Sequence, residues 1–172
     1  CGYITKIGFD TTLVQNPLPY LVEKSIEVIV GTSLSISSGS VFKFKQYNIN
    51  VAGELNVNGV AGNPVIFTSA DDDSDGIDVY GNGVTATSSI SKIGGINLHS
   101  ATSTIENAEF RYLDRATAYY DTYGVQSPIN LKNVIYSYNT WSIFVDNQTV
   151  PVTRNENVQF VGIQSMSVVD NW

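Results

Sequence analysis

Between Asp71 and Ile77 the chain reads Asp-Asp-Asp-Ser-Asp-Gly-Ile, with Asp71, Asp73 and Asp75 at alternate positions ahead of Gly76. Carboxylates so spaced can converge on one hard cation. The glycine permits the sharp turn, and the next backbone carbonyl, that of Ile77, adds an oxygen ligand. A full calcium loop has a bidentate acid at its twelfth position. Here Asn82 stands there, with Asp78 nearby. Asp71, Asp73, Asp75, Ile77 and Asp78 are therefore candidate ligands for a structural Ca2+, held with the weak extracellular affinity of about 10⁻⁴–10⁻³ M. The other reading is a solvated acidic tip.

A second chemistry is contact with sugars. Tyrosines crowd the last third of the chain, and an outward Tyr or Trp on a flat β face can stack on a sugar ring. Tyr136 aligns with Phe110 and Phe160 and is assigned to the core, which leaves Tyr119, Tyr120 and Tyr123 as candidate carbohydrate contacts. A third chemistry is lipidation. Cys1 followed by Gly2 is what cleavage of a bacterial lipoprotein signal leaves, so Cys1 is either a lipid anchor or simply the first residue of this chain. Asn147-Gln-Thr149 is a glycosylation sequon that decides nothing without a source.

Composition narrows the setting. A net charge of −7 repels nucleic acid and anionic membranes, so nucleic-acid binding is discounted. No apolar run approaches the ~20 residues of a membrane helix. With one cysteine no intrachain disulfide can form, and stability must come from burial. The abundance of Thr, Ser, Asn, Gly and Tyr is common in secreted surface proteins.

The elements that must position these residues are very short. From Leu34 to Ser69 apolar and polar residues alternate in threes, as in Leu34-x-Ile36, Phe42-x-Phe44, Ile49-x-Val51, Leu55-x-Val57 and Val65-x-Phe67, each closed by Gly, Ser or Asn. Period-two alternation over so few residues marks short strands with one buried face. The first of these triplets returns after 21 residues and the second after 23. A repeat of that length built only of strands indicates stacked coils. Further on, Asn107, Asn133 and Asn157 fall in register at spacings of 26 and 24, followed by Ala108, Val134 and Val158 and then by Phe110, Tyr136 and Phe160. Asp121, Asp146 and Asp170 close the same three segments. A recurring Asn at a coil corner can bond its amide to the next coil, and it tolerates a left-handed backbone.

The fold class expected is all-β, a single-stranded right-handed parallel β-helix of about six or seven coils, roughly 30 Å tall at ~4.8 Å per strand. Residues 1–18, interrupted by Pro17, are expected as an N-terminal cap, and 19–172 as the β-helix. Tyr20–Val30 would be the first full coil, with Ile26, Val28 and Val30 inward. Residues 70–91, rich in Asp, Gly, Ser and Thr, are expected as a projecting loop.

The repeats resemble those of bacterial surface proteins in the pectate-lyase-like superfamily. The residues that carry the likeness are Leu34-Ser-Ile-Ser-Ser-Gly-Ser-Val-Phe-Lys-Phe, Leu55-Asn-Val-Asn-Gly and Gly62-Asn-Pro-Val-Ile-Phe-Thr-Ser, with Asn107-Ala-Glu-Phe and Asn133-Val-Ile-Tyr after them. Ile93 stands where that pattern normally has Trp. The likeness covers about residues 19–170. It implies an extracellular or cell-surface protein with a structural or adhesive role, lipid-anchored or filament-forming. The alternative it implies is a polysaccharide-binding or lyase-like domain. A lyase of this kind would want an Arg or Lys as base beside carboxylate-held calcium. Arg111 and Arg115 have Glu109 and Asp114 as neighbours, but alternation puts Glu109 and Arg111 on one outward face, the arrangement of a surface ion pair. A hydrolase would want paired Asp residues and Gly-His-Gly, whereas His99, the one histidine, lies in Leu-His-Ser. No catalytic residues are assigned. The expected partners are polysaccharide, and other copies of the chain or neighbouring surface domains meeting open coil ends, since Ser167–Trp172 follow a coil with no cap.

Overall fold

A computed structural model describes residues 4–83, 90–99, 102–120, 129–146 and 154–162. The alternating triplets become strands stacked rung on rung. The first rung is β1 (Lys6–Ile7), β2 (Thr11–Leu13) and β3 (Tyr20–Val22). The second is β4 (Ile26–Val28), β5 (Ser33–Ser37) and β6 (Val41–Phe44), and the third β7 (Asn48–Val51), β8 (Glu54–Asn58) and β9 (Val65–Ser69). In later rungs the second and third strands merge: β10 (Gly95–His99) is followed by β11 (Ser103–Arg111), β12 (Arg115–Tyr120) by β13 (Ile129–Ser137), and β14 (Trp141–Asp146) by β15 (Arg154–Val161). Strands pair in parallel with their counterparts one rung on, and β1, β4, β7, β10, β12 and β14 form a six-stranded sheet. The other two faces are the β2–β5–β8 and β3–β6–β9 ladders, which join the two halves of β11.

The protein is thus an all-β parallel solenoid of about five turns, with no helix among the described residues. Six rungs of strands close about five turns, slightly fewer than the six or seven coils expected from the repeat length. Between Ser69 and Gly95 the described residues add no strand, and residues 70–83 lie against the outer face instead. Residues of the expected cap segment already belong to the ladders, since β1 pairs with β4 and β2 with β5. Val30, expected inward, is 70% exposed, because the chain leaves β4 at Val28 and turns at Gly31 (φ 80°). No helix among the described residues is long and apolar enough to cross a membrane.

The core is a set of columns. Tyr20, Phe42, Phe67, Phe110, Tyr136 and Phe160 stack one above another at centroid separations of 4.9, 5.3, 4.7, 5.1 and 5.4 Å. Each aromatic pair adds about 0.5–1.5 kcal/mol to its burial. Tyr136 is wholly buried and its hydroxyl meets Thr117 Oγ1 at 3.2 Å; burial pushes the phenol far above its usual range.

The corners follow the asparagine register. Asn107, Asn133 and Asn157 have φ of 48°, 52° and 52°, the left-handed region that Asn tolerates. Asn157 Nδ2 donates to Asn133 Oδ1 (2.9 Å), Asn133 Nδ2 to Asn107 Oδ1 (3.2 Å), and Asn107 Nδ2 to the Gly59 carbonyl (3.1 Å). The ladder comes so close to Gly59 that a Cβ there would stand 1.9 Å from the Asn107 oxygen.

Candidate functional site

The outward positions of β6, β9 and β11 form a row. Lys43 pairs with Thr68 and Thr68 with Arg111, so an ammonium, a hydroxyl and a guanidinium lie side by side on successive rungs. Such a row would ordinarily face water. Residues 70–83 fold back across it instead, leaving Lys43 and Thr68 wholly buried and Asp72 1% exposed.

Asp72 is the pin of this strap. Its Oδ2 accepts from Thr68 Oγ1 (2.6 Å) and Arg111 Nε (2.8 Å), and its Oδ1 accepts from the amide (3.1 Å) and hydroxyl of Ser74. Burial alone would raise the Asp72 pKa. The bonds from Ser74 and Thr68, with the Arg111 guanidinium, outweigh that and hold it below the usual carboxylate range. Arg111 also bonds Asp75 and reaches Glu109 at 3.5 Å, so the expected Glu109–Arg111 pair is present as its weakest contact. Lys43 Nζ donates to the carbonyls of Asp72 and Ile77 at 2.6 Å each. Burial lowers the Lys43 pKa against the pull of Asp73, Asp72 and Asp78. Beyond Lys43 the strap passes Pro19, 3.4 Å from where a Gly76 Cβ would stand, and lays Tyr80 under Lys45 (5.3 Å), which pairs with Glu23. It therefore crosses from β11 in the fourth rung to the start of β3 in the first, three rungs away.

The expected metal ligands are turned to different partners. Asp71 Oδ2 accepts from the Ser91 amide (3.2 Å), and Asp75 pairs with Arg111. The Ile77 carbonyl is on Lys43. Asp78 accepts the amides of Gly83, Asn82, Gly81 and Tyr80, which lower its pKa. Both Asp73 carboxylate oxygens are buried and accept no hydrogen bond. Among the described residues no three His, Cys, Asp or Glu side chains gather as a metal centre would need. In this arrangement the residues do not fit a bound divalent ion. Asp72, Lys43 and Thr68 were not picked out by sequence reasoning, although the repeat register that aligns Phe42 with Phe67 and Phe110 also aligns Lys43 with Thr68 and Arg111.

A second cluster lies on the outer face of the six-stranded sheet. In β10 Ile96 and Leu98 point inward, and Asn97 and His99 outward. A bulge at Gly95/Ile96 shifts the pairing so that Leu98 stands beside Tyr119 and His99 beside Tyr120. Tyr119 is consequently 2% exposed within the core and is corrected as a sugar contact, because neighbours in a strand face opposite sides. Tyr120 is outward and stacks on His99 at 5.2 Å. Phe144 lies 6.1 Å from Tyr120 and meets the Trp141 ring edge-on at 6.1 Å. Arg115 lays its guanidinium 4.4 Å over Phe144 and donates from Nη1 to the Tyr120 hydroxyl (2.7 Å), while its Nε has no acceptor. An amide file continues across the sheet, from Asn97 to Asn50 (2.8 Å) and from Asn50 to Glu27 (2.6 Å). Burial lowers the His99 pKa, which favours the neutral ring. Cys1, Tyr123 and the sequon at Asn147 lie outside the described residues.

Comparison with family models, with curated proteins and with solved structures returns no match in any of the three.

Proposed function

We propose that the protein is an extracellular, surface-displayed solenoid of structural or adhesive type, and that polysaccharide is the partner class of its six-stranded sheet. The observation that carries this reading is the outward group of His99, Tyr120, Trp141 and Phe144 around Arg115. Sugar rings offer apolar C–H faces that pack on aromatic faces, and hydroxyls that take donors such as a guanidinium. The amide file of Asn97 and Asn50 extends the surface along the solenoid axis with groups that exchange hydrogen bonds with hydroxyls. The likeness of the repeats to bacterial surface proteins supports the same setting. Arg111, the arginine a lyase would want as base, is held by Asp72, Asp75 and Glu109, which favours binding over cleavage. The test is migration in native gels cast with soluble cell-wall polysaccharides. At least one should retard the wild-type chain; free migration in every gel would sink the reading.

A second reading, association through a coil end, is supported by the first rung. Phe9 (74%), Val14 (60%) and Leu18 (57%) are exposed there, beside a lumen that opens between Ile7, Leu13 and Tyr20. Light scattering at rising concentration decides it: mass should climb above one chain, and a constant monomer mass would end this reading.

A further inference from the structure

The strap has the sequence of a cation loop, yet the atoms such a loop turns on a metal are turned on the chain's own cations. The Ile77 carbonyl, which the Asp-x-Asp-x-Asp-Gly pattern assigns to the ion, accepts from Lys43 Nζ at 2.6 Å, and so does the Asp72 carbonyl. The strongest carboxylate attraction on the Lys43 ammonium is that of Asp73, whose oxygens are buried and accept no hydrogen bond. Arg111 holds Asp72 and Asp75. Lys43 reaches this position from β6, the strand on which Phe42 and Phe44 fix the backbone from the inner side.

We propose that Lys43 occupies the place of the divalent ion in this loop, and that the loop becomes a site for a hard divalent cation only when the Lys43 ammonium is removed. An ion tethered to the neighbouring strand is present whenever the strand is folded, so the strap closes independently of calcium in the medium. A divalent ion entering the wild-type loop would meet the ammonium at close range and be repelled. Without the ammonium, the Asp72 and Ile77 carbonyls lose their donor and the Asp73 carboxylate its strongest countercharge, a costly state that a hard ion with oxygen preference relieves. The same geometry explains how an acidic segment can lie flat on the solenoid rather than project from it.

The test compares the wild-type chain with Lys43→Met, following the thermal midpoint and the exchange of the 71–83 amides in millimolar calcium and in excess chelator. The wild type should give the same midpoint and the same protection in both. Lys43→Met should unfold several degrees lower in chelator, exchange faster across the strap, and recover part of both in calcium, with tyrosine-sensitised terbium luminescence that the wild type lacks. If Lys43→Met does not fold, Lys43→Gln, which removes the charge and keeps an NH₂ donor for the carbonyls, carries the same comparison. A wild-type midpoint that falls on chelation would overturn the proposal. So would a variant whose strap calcium leaves unprotected.

Discussion

Four donors meet on one carboxylate at Asp72, which makes it the side chain on which the strap depends. Removing one partner of a buried, hydrogen-bonded ion pair leaves the others desolvated without compensation. Asp72→Ala should therefore cost about 3 kcal/mol, read as a shift in the urea midpoint. Asp73→Asn is a contrasting case, since its carboxylate accepts no hydrogen bond. It breaks no hydrogen bond and removes only the attraction on the Lys43 ammonium, so it should cost less than Asp72→Ala in the same assay. Equal losses at the two positions would remove Asp72 from its role. The pH dependence has a defined sign. A carboxyl held low in the folded chain contributes stability that is complete above the unfolded carboxylate pKa of about 3.9 and lost as pH falls through the folded value. Asp72→Asn should lower stability at neutral pH, where the ionised carboxylate contributes in full, and thereby flatten that acid limb of the profile. The aspartates that stood out in the sequence were those at alternate positions, because that spacing is a known ligand pattern. Asp72 between them was invisible to it, since its partners come from Thr68 and from Arg111, 39 residues downstream.

Corners and strands were the most legible elements. Asn107, Asn133 and Asn157 were placed by spacing alone, and their amide ladder and left-handed φ follow from what an Asn side chain can do at a bend. Two contributions can be separated at Asn133, which both donates to Asn107 and accepts from Asn157. Asn133→Ala loses both bonds and takes on the left-handed strain of about 1–2 kcal/mol, for a total near 3 kcal/mol. Asn133→Gly loses the bonds alone and should cost about 1 kcal/mol less in the same denaturant assay. Identical losses would mean that the backbone conformation contributes nothing. Alternation was less sure at β12. The bulge opposite Gly95 decides which of Tyr119 and Tyr120 faces out, and no local pattern announces a bulge formed against another rung. The strap was legible only as a segment without alternation. Its course across the outer face depends on Lys43 and Arg111, residues that read as ordinary outward charges until the rungs are stacked.

A solenoid's stability is approximately a sum over neighbouring rungs, so its short first rung is the part most prone to open. β1, β2 and β3 have two or three residues each, with Phe9, Val14 and Leu18 exposed around them. The strap compensates by binding rung four to rung one through Arg111, Thr68, Lys43 and the Pro19 and Lys45 contacts. Loosening it should therefore be felt at a distance. In Asp72→Ala the amides of β3 and β6 should lose protection in hydrogen exchange while those of β13 keep theirs. Uniform loss along the rod would show that the strap acts on the global equilibrium rather than on the first rungs. The six-ring column gives the opposite pattern: Phe67→Ala, at the middle of the stack, should cost about 3–5 kcal/mol and lower protection on both sides of the cavity.

Seen as a whole, the molecule is a rigid rod with one face braced by the strap and another carrying aromatic rings. Surface contact through the second face is the central functional claim. The most direct measurement is co-sedimentation with insoluble cell-wall polysaccharide of the wild type, a Tyr120→Ala/Phe144→Ala double variant, and an Ile135→Ser variant on the face made by β6, β9, β11 and β13. Base–aromatic stacking, a comparable ring-on-ring contact, is worth about 1–3 kcal/mol per ring. The double variant should therefore lose at least tenfold in retention, while Ile135→Ser stays with the wild type. Equal retention of all three, or none by the wild type, would contradict the assignment of this face as the contact surface.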